Sequence, residues 1–379
     1  MVRRFPDAHA VMQHAIELAE GGIGCVEPNP AVGAVIVDDE LNLVGQGYHH
    51  KYGGQHAEIH AIQDARNRRG SDSNFSDFAL YVTLEPCCHH GQTPPCSAAV
   101  IEAGFRKVVI GLQDPSVKVN GRGIEQLRAA GIEVEVGLSE ELVRNLNLPF
   151  LTLISKRRPY IHAKWAMTLD GKIASRTGQS QWISNTASRQ IVHRLRGRMD
   201  GIVIGIGTAQ ADDPLLTARG VGPRQATRIV LDSLAQLPLS SQLARTAGDI
   251  KTMLVATESA PDDRIVELQE AGIDILSIPN ADPTEGQYRV DLKSVMDELH
   301  RQSMTNVLVE GGAEVLGSFF DQQLIDEVHV FIAAKLVGGE TAASPLAGEG
   351  IPQMAEALRL DRPTWQQIDT DLYLHGRVM

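Results

Sequence analysis

The sequence predicts an α/β protein of two domains, each built as a sheet covered by helices. The length of 379 residues favours two or three domains, each large enough for an ordinary core. Strand-like apolar runs alternate with helical segments along both halves, which is typical of α/β architecture. The four cysteines, however, all lie in the first third of the chain, at Cys25, Cys87, Cys88 and Cys96. The two halves should therefore share an architecture but differ in chemistry.

The first domain, residues 1–150, begins with an amphipathic helix from Ala8 to Glu20 that ends at Gly21-Gly22. The pattern then predicts strands at 31–37 and 43–48, a helix at 56–66, a strand at 80–84, a helix at 97–103, a strand at 107–111, a helix at 123–130 and a strand at 132–137. After the first helix the order is β-β-α-β-α-β-α-β. Such an order predicts a sheet sandwiched between helices.

The second domain, residues 151–379, is joined to the first by a basic linker. A helix predicted over 139–155 and broken at Pro149 leads into Lys156-Arg157-Arg158-Pro159, where we place the boundary. These three positive charges could bind a phosphate or a nucleic acid, but a solvated linker is the simpler interpretation.

The second domain is predicted to alternate strands and helices as the first one does. Strands are predicted at 160–168, 201–207, 228–232, 252–256, 274–278 and 307–309, and helices at 187–198, 263–271 and 292–302. The strand at 307–309 leads through Glu310-Gly311-Gly312 into a helix that ends at Phe320. An antiparallel strand at 327–333 closes the pattern. The two halves share no motif, so we interpret them as unrelated α/β domains.

Composition and charge restrict the class of function. The chain carries 47 acidic and 35 basic residues, a formal net charge of −12, which argues against a general binder of nucleic acid or anionic membrane. No apolar run approaches the roughly 18 residues of a membrane helix. No apolar segment follows Arg3-Arg4, so a secretory signal is not predicted and a cytoplasmic, reducing location is expected. In such a compartment, clustered cysteines more often bind metal or react than form disulfides.

Three short motifs in the first domain predict a catalytic zinc site. They are His56-Ala57-Glu58, Glu85-Pro86-Cys87 and Pro95-Cys96. One imidazole and two thiolates supply three ligands to a tetrahedral ion and leave the fourth position for water. Glu58 lies close to the predicted metal and can take a proton from that water and pass it to a leaving amine. This arrangement is the signature of zinc nucleobase deaminases.

The spacing of the cysteines leaves an alternative open. Eight residues separate Cys87 from Cys96, where most zinc deaminases have two. A purely structural zinc site would need a fourth protein ligand, which Cys88, His89 or His90 could supply. We favour an inert role for Cys88, and we interpret Cys25 as a small buried apolar residue.

The second domain lacks the usual dinucleotide-binding fingerprint. Gly205-Ile206-Gly207-Thr208 matches only the first half of G-x-G-x-x-G, which is a weak signal, so a Rossmann domain is not supported. Glu310-Gly311-Gly312 is better placed, because it follows a strand and opens a helix whose backbone N–H groups could meet a phosphate. From the residues alone, a tight strand-to-helix turn explains it equally well.

Longer motifs resemble the bifunctional riboflavin-biosynthesis deaminase–reductase family. In the first half they are Pro28–Gly33, Gly47–His49, Thr83–Cys96, Gln113–Pro115 and Gly121–Gly123; in the second they are Lys164–Ala174, Ser180–Ser184, Gly207-Thr208, Ala211–Thr217, Ile229–Ser233 and Val309–Gly312. The chain departs from the family at Cys88, where the family has Ser, and at Val117, where it has Pro. Neither departure touches an expected zinc ligand, although Val117 adjoins the substrate phosphate loop near Lys118.

The resemblance implies a fold and a set of binding residues. The folds would be a cytidine-deaminase-like α/β/α sandwich and a dihydrofolate-reductase-like α/β domain. The family holds its nicotinamide cofactor at positions matching Ala166, Trp182, Thr208, Asp212 and Ser233 and along the turn Gly312, Ala313, Glu314, Val315, Leu316, Gly317 and Ser318. Positions matching Asn29, His49, Ser180, Arg196, Leu216, Arg219 and Glu310 hold the substrate.

Several of these residues have plainer interpretations when taken singly. Asn29 between prolines could be a turn residue, and His49 a surface histidine. Arg196 could be one of several solvated arginines in a basic helix, Trp182 a core residue, and Asp212 part of a turn before proline. The match of all the surrounding motifs favours the functional interpretation in each case.

The resemblance further implies two consecutive reactions on one phosphorylated pyrimidine. One zinc per chain would serve hydrolytic deamination of 2,5-diamino-6-(5-phosphoribosylamino)pyrimidin-4-one, and NADPH would then reduce the ribosyl group to ribityl. Reduction needs an acid to open the furanose, for which Lys164 and Asp170 are the candidates. A homo-oligomer is expected. Residues 236–290 contain few residues that match motifs of the family. The rival hypotheses are a deaminase acting on nucleic acid and a deaminase fused to a non-catalytic binding domain.

Overall fold

The structure is a computed structural model that describes residues 3–70, 74–91, 94–281 and 288–379. The chain divides into two compact units, Met1–Lys156 and Arg157–Met379. The division falls within the basic stretch that follows the helix predicted over 139–155. Among the described residues, no helix combines the length and the apolar character needed to cross a membrane.

The first unit is a five-stranded sheet between two layers of helices. Its elements are α1 (Ala8–Glu20), β1 (Gly33–Val37), β2 (Leu43–Tyr48), α2 (Ala57–Arg69), β3 (Ala79–Leu84), α3 (Cys96–Ala103), β4 (Lys107–Leu112), α4 (Arg122–Ala129), β5 (Glu133–Val136), α5 (Glu140–Leu146) and α6 (Leu148–Ser155). The strand order is β2-β1-β3-β4-β5, with β1 antiparallel to β2 and β3, and with β3, β4 and β5 parallel. The predicted α/β/α sandwich is confirmed.

Alternate residues of β1 enter opposite faces of this sheet. Ala34 and Ile36 pack in a core with α2, α3 and α4, whereas Val35 and Val37 pack in a second core with α1, α5 and α6. A strand covered on both faces must be apolar throughout, which explains why β1 shows no polar alternation. The helix predicted over 139–155 is interrupted at Asn147 rather than at Pro149, because the Asn147 side chain bonds both the N–H and the carbonyl of Ala31.

The second unit is a nine-stranded mixed sheet. Its elements are β6 (Tyr160–Thr168), α7 (Thr186–Arg196), β7 (Gly201–Gly205), α8 (Ile206–Asp212), β8 (Thr227–Leu231), α9 (Gln242–Arg245), β9 (Thr252–Thr257), α10 (Asp262–Glu270), β10 (Asp274–Ile278), α11 (Leu292–Arg301), β11 (Asn306–Val309), α12 (Ala313–Asp321), β12 (Glu327–Ala333), a 3₁₀ turn (Met354–Glu356), β13 (Leu360–Ile368) and β14 (Asp371–Val378). The strand order is β10-β9-β8-β7-β11-β6-β12-β14-β13.

The end of this sheet differs from the sequence prediction. The strand at 327–333 was expected to be antiparallel and to close the domain, but β12 runs parallel to β6 and antiparallel to β14, with β13 beyond it. The β13 strand escaped prediction because most of its residues are exposed on both sides, so it lacks a periodic apolar pattern. The strand predicted over 201–207 ends at Gly205, where α8 begins.

Four neighbouring parallel strands position the second site. The strands β8, β7, β11 and β6 lie side by side and point the same way. Their carboxyl ends therefore meet at one edge of the sheet, where ligands bind in open α/β folds. This edge brings Ser233, Thr208, Glu310 and Lys164 together from distant parts of the sequence.

Candidate active sites

The predicted zinc ligands form a cluster in the first unit. The ligand atoms of His56, Cys87 and Cys96 all lie within 4.8 Å of one another. The His56 Nδ1 atom is 3.1 Å from Cys96 Sγ and 3.6 Å from Cys87 Sγ. Such separations suit one imidazole nitrogen and two sulfurs around a tetrahedral ion with bonds of about 2.0–2.3 Å. The residues therefore fit zinc as a three-ligand site with one open position.

Two helix starts bring these ligands together. His56 is the N-cap residue of α2, and Cys96 is the first residue of α3. The Cys96 N–H, at the positive end of the α3 dipole, donates to Cys87 Sγ at 3.4 Å and favours a thiolate at Cys87. Hydrogen bonding from the Cys96 thiol and from His56 lowers the pKa of Cys87 to about 4. The Cys87 sulfur is thus prepared to act as an anionic ligand.

Glu58 lies in the first turn of α2, beside the ligands but not among them. Its side chain is buried, with only 3% of the residue exposed, and its Oε2 atom has no hydrogen-bond partner. Burial, together with the nearby Cys87 thiolate, raises the pKa of Glu58 to about 7. A carboxyl group with this pKa can both accept and return a proton near neutral pH.

Asn29 and His49 line the same cavity of about 380 Å³ as His56 and Glu58. Gln55 accepts a hydrogen bond from His49 Nδ1 at 3.0 Å, and Asn29 Nδ2 donates to His49 Nε2 at 3.4 Å. Burial lowers the pKa of His49, so the ring is neutral and its Nε2 atom is an acceptor. His49 is buried, so the interpretation as a surface histidine is wrong. Asn29 is both a turn residue, bonded through its N–H to Val26, and a residue of the cavity wall.

Glu85 is the structural residue of this site that the sequence analysis missed. Its buried carboxylate accepts four backbone N–H groups, from Asp114, Gly121, Gly123 and Ile124, at 2.9–3.2 Å. It thereby holds the loop that carries Lys118 against the cavity. It also accepts hydrogen bonds from backbone N–H groups at the start of α4, which have no partner within the helix. A Cβ at Gly123 would lie 2.2 Å from the Pro86 carbonyl oxygen. The chain at Gly123 can therefore pack against Pro86 only because glycine has no side chain. Glu85 was visible as part of a motif, but its partners are 29 to 39 residues away.

Cys88 lies outside the ligand cluster. Its thiol donates to the Lys118 carbonyl at 3.7 Å, and it is not one of the three grouped ligands. This contact agrees with the inert role favoured from the sequence. Gln92 and Thr93, which belong to the family motif between the two cysteines, lie outside the described residues.

The centre of the second site is a buried triad of charges. The Glu310 carboxylate accepts two hydrogen bonds from Arg196, at 2.6 and 2.8 Å, and one from Lys164 Nζ at 3.0 Å. Burial opposes its ionisation, but the guanidinium of Arg196 and the ammonium of Lys164 outweigh burial and hold the pKa of Glu310 well below its usual range. The third donor of Arg196 binds the Thr217 carbonyl at 3.2 Å. Arg196 is therefore not a solvated surface residue.

The glycine turn and Thr208 lie against each other. The Gly312 φ angle is +73°, and a Cβ built there would lie 3.2 Å from Thr208 Oγ1. A Cβ at Gly311 would lie 2.9 Å from Ile204, on the neighbouring strand. The turn therefore requires glycine, and it opens α12, which carries the predicted cofactor positions Ala313 to Ser318. Of these, Leu316 and Gly317 are buried, Ala313, Val315 and Ser318 partly buried, and Glu314 exposed.

Ser180 and Asp212, predicted for substrate and cofactor respectively, are bonded to each other. The Ser180 hydroxyl donates to Asp212 Oδ1 at 2.7 Å. Trp182 is 60% exposed with the Arg189 guanidinium 4.6 Å over its ring, so the interpretation as a core residue is wrong. An exposed aromatic face beside the sheet edge is available to a ligand.

Leu216 and Arg219 follow α8 in a loop, and both have left-handed backbone. The Leu216 side chain is buried in the core of the unit, so only its backbone could reach a substrate. Arg219 is exposed. Ala166 lies on β6, and Ser233 follows β8, where its carbonyl accepts two hydrogen bonds from Thr257.

The two candidates for the ring-opening acid have different surroundings. Asp170 is exposed, and its carboxylate accepts hydrogen bonds from Thr168 Oγ1 at 2.6 Å and from the Gly338 N–H at 2.7 Å. The bond from Thr168 and the backbone N–H groups lower the pKa of Asp170 to about 2. It is therefore a loop-ordering carboxylate without a proton to give. Lys164, by contrast, lies in the buried triad, where its Nζ atom donates to Glu310 at 3.0 Å.

Comparison with known proteins gives matches to both units. Residues 6–112 match the cytidine and deoxycytidylate deaminase zinc-binding region, and residues 159–374 match the RibD C-terminal domain. The riboflavin biosynthesis protein RibD of Actinobacillus pleuropneumoniae is 41% identical over 363 residues, covering 96% of this chain and 93% of that protein.

Solved structures agree over the whole chain. Acinetobacter baumannii RibD, form 1, has a TM-score of 0.83 and 35% identity, with 98% of both chains covered. The Thermotoga maritima diaminohydroxyphosphoribosylaminopyrimidine deaminase/5-amino-6-(5-phosphoribosylamino)uracil reductase has a TM-score of 0.80 and 33% identity, again covering 98% of both chains.

Proposed function

The chain belongs to the RibD family, the bifunctional deaminase–reductases of riboflavin biosynthesis, and from this premise we propose how each unit performs its reaction. The substrate is 2,5-diamino-6-(5-phosphoribosylamino)pyrimidin-4-one. The domain predicted over residues 1–150 is zinc-dependent, and the domain predicted over residues 151–379 is NADPH-dependent. In the structure the two compact units divide six residues later, between Lys156 and Arg157. The chain assembles as a homo-oligomer, which light scattering would test. The single observation that carries the proposal is the His56–Cys87–Cys96 cluster beside Glu58, whose Oε2 atom has no hydrogen-bond partner.

In the deaminase unit, Glu58 moves the protons. Zinc held by His56, Cys87 and Cys96 would supply a water of lowered pKa as the nucleophile. Glu58 accepts a proton from that water and delivers it to the exocyclic amine as ammonia leaves. Its buried position and its pKa of about 7 let it serve in both directions.

Asn29 and His49 orient the pyrimidine in the cavity. Their mutual hydrogen bond fixes the ring of His49 with Nε2 toward Asn29. An amide and a neutral imidazole present both donors and acceptors, as the edge of a pyrimidine requires. The Lys118 loop, held by Glu85, closes the cavity at the side where the ribosyl phosphate would lie.

In the reductase unit, Lys164 is the acid that opens the furanose. NADPH would supply the hydride to C1′ of the opened sugar. Lys164 is preferred to Asp170 because Asp170 is ionised and bound to its own loop. Glu310 fixes Lys164 in position by accepting a hydrogen bond from its Nζ atom, and Arg196 in turn fixes Glu310. Arg196 therefore positions the triad, whereas the exposed Arg219 is the better guanidinium for the substrate phosphate.

The cofactor lies along the sheet edge. The start of α12 at Gly312 offers backbone N–H groups to the phosphates of the cofactor. Thr208, in the first turn of α8, and Ser233 follow the ends of the neighbouring strands β7 and β8. The exposed Trp182 ring and Ala166 would flank the nicotinamide, and the Ser180–Asp212 pair would bind its polar groups. Binding of NADPH should then quench or shift tryptophan emission, with Trp165 and Trp365 as background.

One assay separates the proposal from its rivals. The protein is incubated with the diaminopyrimidinone substrate with and without NADPH, and ammonia release and NADPH oxidation are followed. We expect ammonia in both cases, and NADPH oxidation only when deaminated product is present. A deaminase fused to a non-catalytic domain would release ammonia without oxidising NADPH. A nucleic-acid deaminase would ignore this substrate and act on polynucleotides.

A further inference from the structure

A second cluster of metal-ligating side chains lies in the reductase unit. The ligand atoms of His162, Glu327 and His329 all lie within 4.8 Å of one another. It and the deaminase cluster are the two groups of this kind in the described part of the chain. His162 is on β6, and Glu327 and His329 are on the adjacent strand β12. No step of either reaction uses these residues.

The outer ring nitrogens of both histidines are already bonded to neighbours. His162 Nε2 donates to Asn306 Oδ1 at 3.1 Å, which turns the Nδ1 atom toward the cluster. His329 Nδ1 lies 2.7 Å from the Tyr373 hydroxyl. The inner nitrogens, His162 Nδ1 and His329 Nε2, face each other at 3.3 Å. Such outer hydrogen bonds are the usual means of orienting histidine ligands on a metal.

Among the described residues, the ion-pair partners of the Glu327 carboxylate within 4.0 Å are all imidazoles. They belong to His162, His329 and His375, all of which are charged only when protonated. The Glu327 side chain is 20% exposed, and the one hydroxyl that donates to it is Tyr160, at 3.2 Å. Burial opposes the charge of a carboxylate, and a metal ion held between Glu327 and the imidazoles would offset that cost.

The spacing of the ligand atoms fits a metal ion. Two nitrogens bound to a tetrahedral ion at about 2.0–2.1 Å are separated by about 3.3–3.4 Å. The two histidine nitrogens are 3.3 Å apart, and Glu327 Oε1 is 3.4 Å from His329 Nε2. His375 Nδ1 lies 3.7 Å from the same oxygen, and its side chain is 42% exposed, which offers a fourth ligand and a path from solvent.

We propose that His162, Glu327 and His329, with His375 beside them, bind one divalent transition-metal ion, of which Zn²⁺ is the natural candidate. Two imidazoles and one carboxylate suit Zn²⁺ and its neighbours Co²⁺ and Ni²⁺ rather than Ca²⁺ or Mg²⁺. The ion would tie β6, β12 and β14 together, two residues before Lys164 on the same face of β6. The site adds a second ion to the one predicted for the deaminase cluster.

The absorption spectrum of bound Co²⁺ distinguishes the two sites, because only one of them has thiolate ligands. Untagged full-length protein is freed of metal by a chelator and titrated with Co²⁺ at pH 8, where histidines are neutral. The deaminase site should give thiolate-to-cobalt charge-transfer absorption, and the second site only ligand-field absorption. We expect two equivalents of Co²⁺ per chain. Saturation at a single equivalent that accounts for the whole thiolate signal would overturn the proposal.

Conservative variants locate the second ion. Glu327→Gln and His329→Gln should each lower binding from two equivalents to one, while the thiolate band keeps its intensity. His300→Gln, a histidine of the same unit outside the cluster, is the matched control and should keep both. Circular dichroism checks that each variant is folded. If His329→Gln does not fold, the isosteric variant Glu327→Gln alone decides whether the ion binds at this cluster. Two equivalents in folded Glu327→Gln would place the ion elsewhere and refute the site.

Discussion

The two proposed active sites are organised differently. In the deaminase unit, the ligands and the acid–base residue come from two helix starts and one loop, and a single ion would be the common point of contact. In the reductase unit, the residues are collected from the ends of four parallel strands, and a buried triad of fixed charges takes the central place.

This difference predicts different responses to mutation. The deaminase chemistry is concentrated in Glu58, so one substitution should abolish one reaction and leave the fold intact. The reductase site depends on charges that also stabilise the unit, so a change there should alter folding and catalysis together. Five variants test this contrast, from the largest expected effect to the smallest.

Glu58→Gln should reduce deamination by at least about 10²–10⁴-fold, because the amide keeps the shape of the side chain but cannot accept the proton. Ammonia release measures this effect. Reduction of already deaminated substrate, followed by NADPH oxidation, should stay near the parent rate.

The reciprocal variant is Asp212→Ala, which removes the acceptor of the Ser180 hydroxyl. It should weaken reduction and spare ammonia release. If Glu58→Gln abolished both reactions in a folded, zinc-loaded protein, the two sites would not be independent.

Glu310→Gln should destabilise the reductase unit by about 3–5 kcal/mol, because Arg196 and Lys164 would stay buried without their counter-charge. Urea unfolding measures the loss, and the deaminase should retain its activity. Glu270→Gln, on the exposed side of α10, is the matched control and should change stability by less than about 0.5 kcal/mol. A fall in reductase activity at unchanged stability would limit Glu310 to a role in binding.

Gly312→Val should weaken NADPH binding, because a branched side chain would meet Thr208 and must adopt a positive φ angle. Fluorescence titration with NADPH measures the affinity. Gly248→Ala, where an added Cβ meets no atom within 4 Å, controls for loss of a glycine in the same unit. Unaltered NADPH affinity in folded Gly312→Val would show that the turn does not hold the cofactor.

Cys88→Ser should leave the zinc content and the deamination rate unchanged, because the thiol bonds a loop carbonyl rather than joining the ligand cluster. Elemental analysis of the purified protein is the measurement. Loss of the ion from this variant would identify Cys88 as a fourth ligand and make the site structural.

Most of the deaminase site could be predicted because its residues are close in sequence. A His and a Glu two positions apart at a helix start share a turn, and the two cysteines flank one short loop. Glu85 was not recognised because hydrogen bonds from a carboxylate to distant backbone N–H groups leave no trace in residue spacing. The exposed strand β13 was missed for a related reason, since an edge strand without a buried face has no apolar period.

Patterns in the sequence predicted the two α/β domains, the zinc-ligand motif and, through family motifs, the positions proposed for the reductase site. These depend on local periodicity and short spacings, which a linear chain displays directly. Tertiary structure alone decided the relation of Lys164 to Glu310 and Arg196, the commitment of Asp170 to its own loop, and the meeting of three histidines around Glu327. In each case strand pairing or loop closure joins residues far apart in sequence, and their spacing along the chain does not reveal the contact.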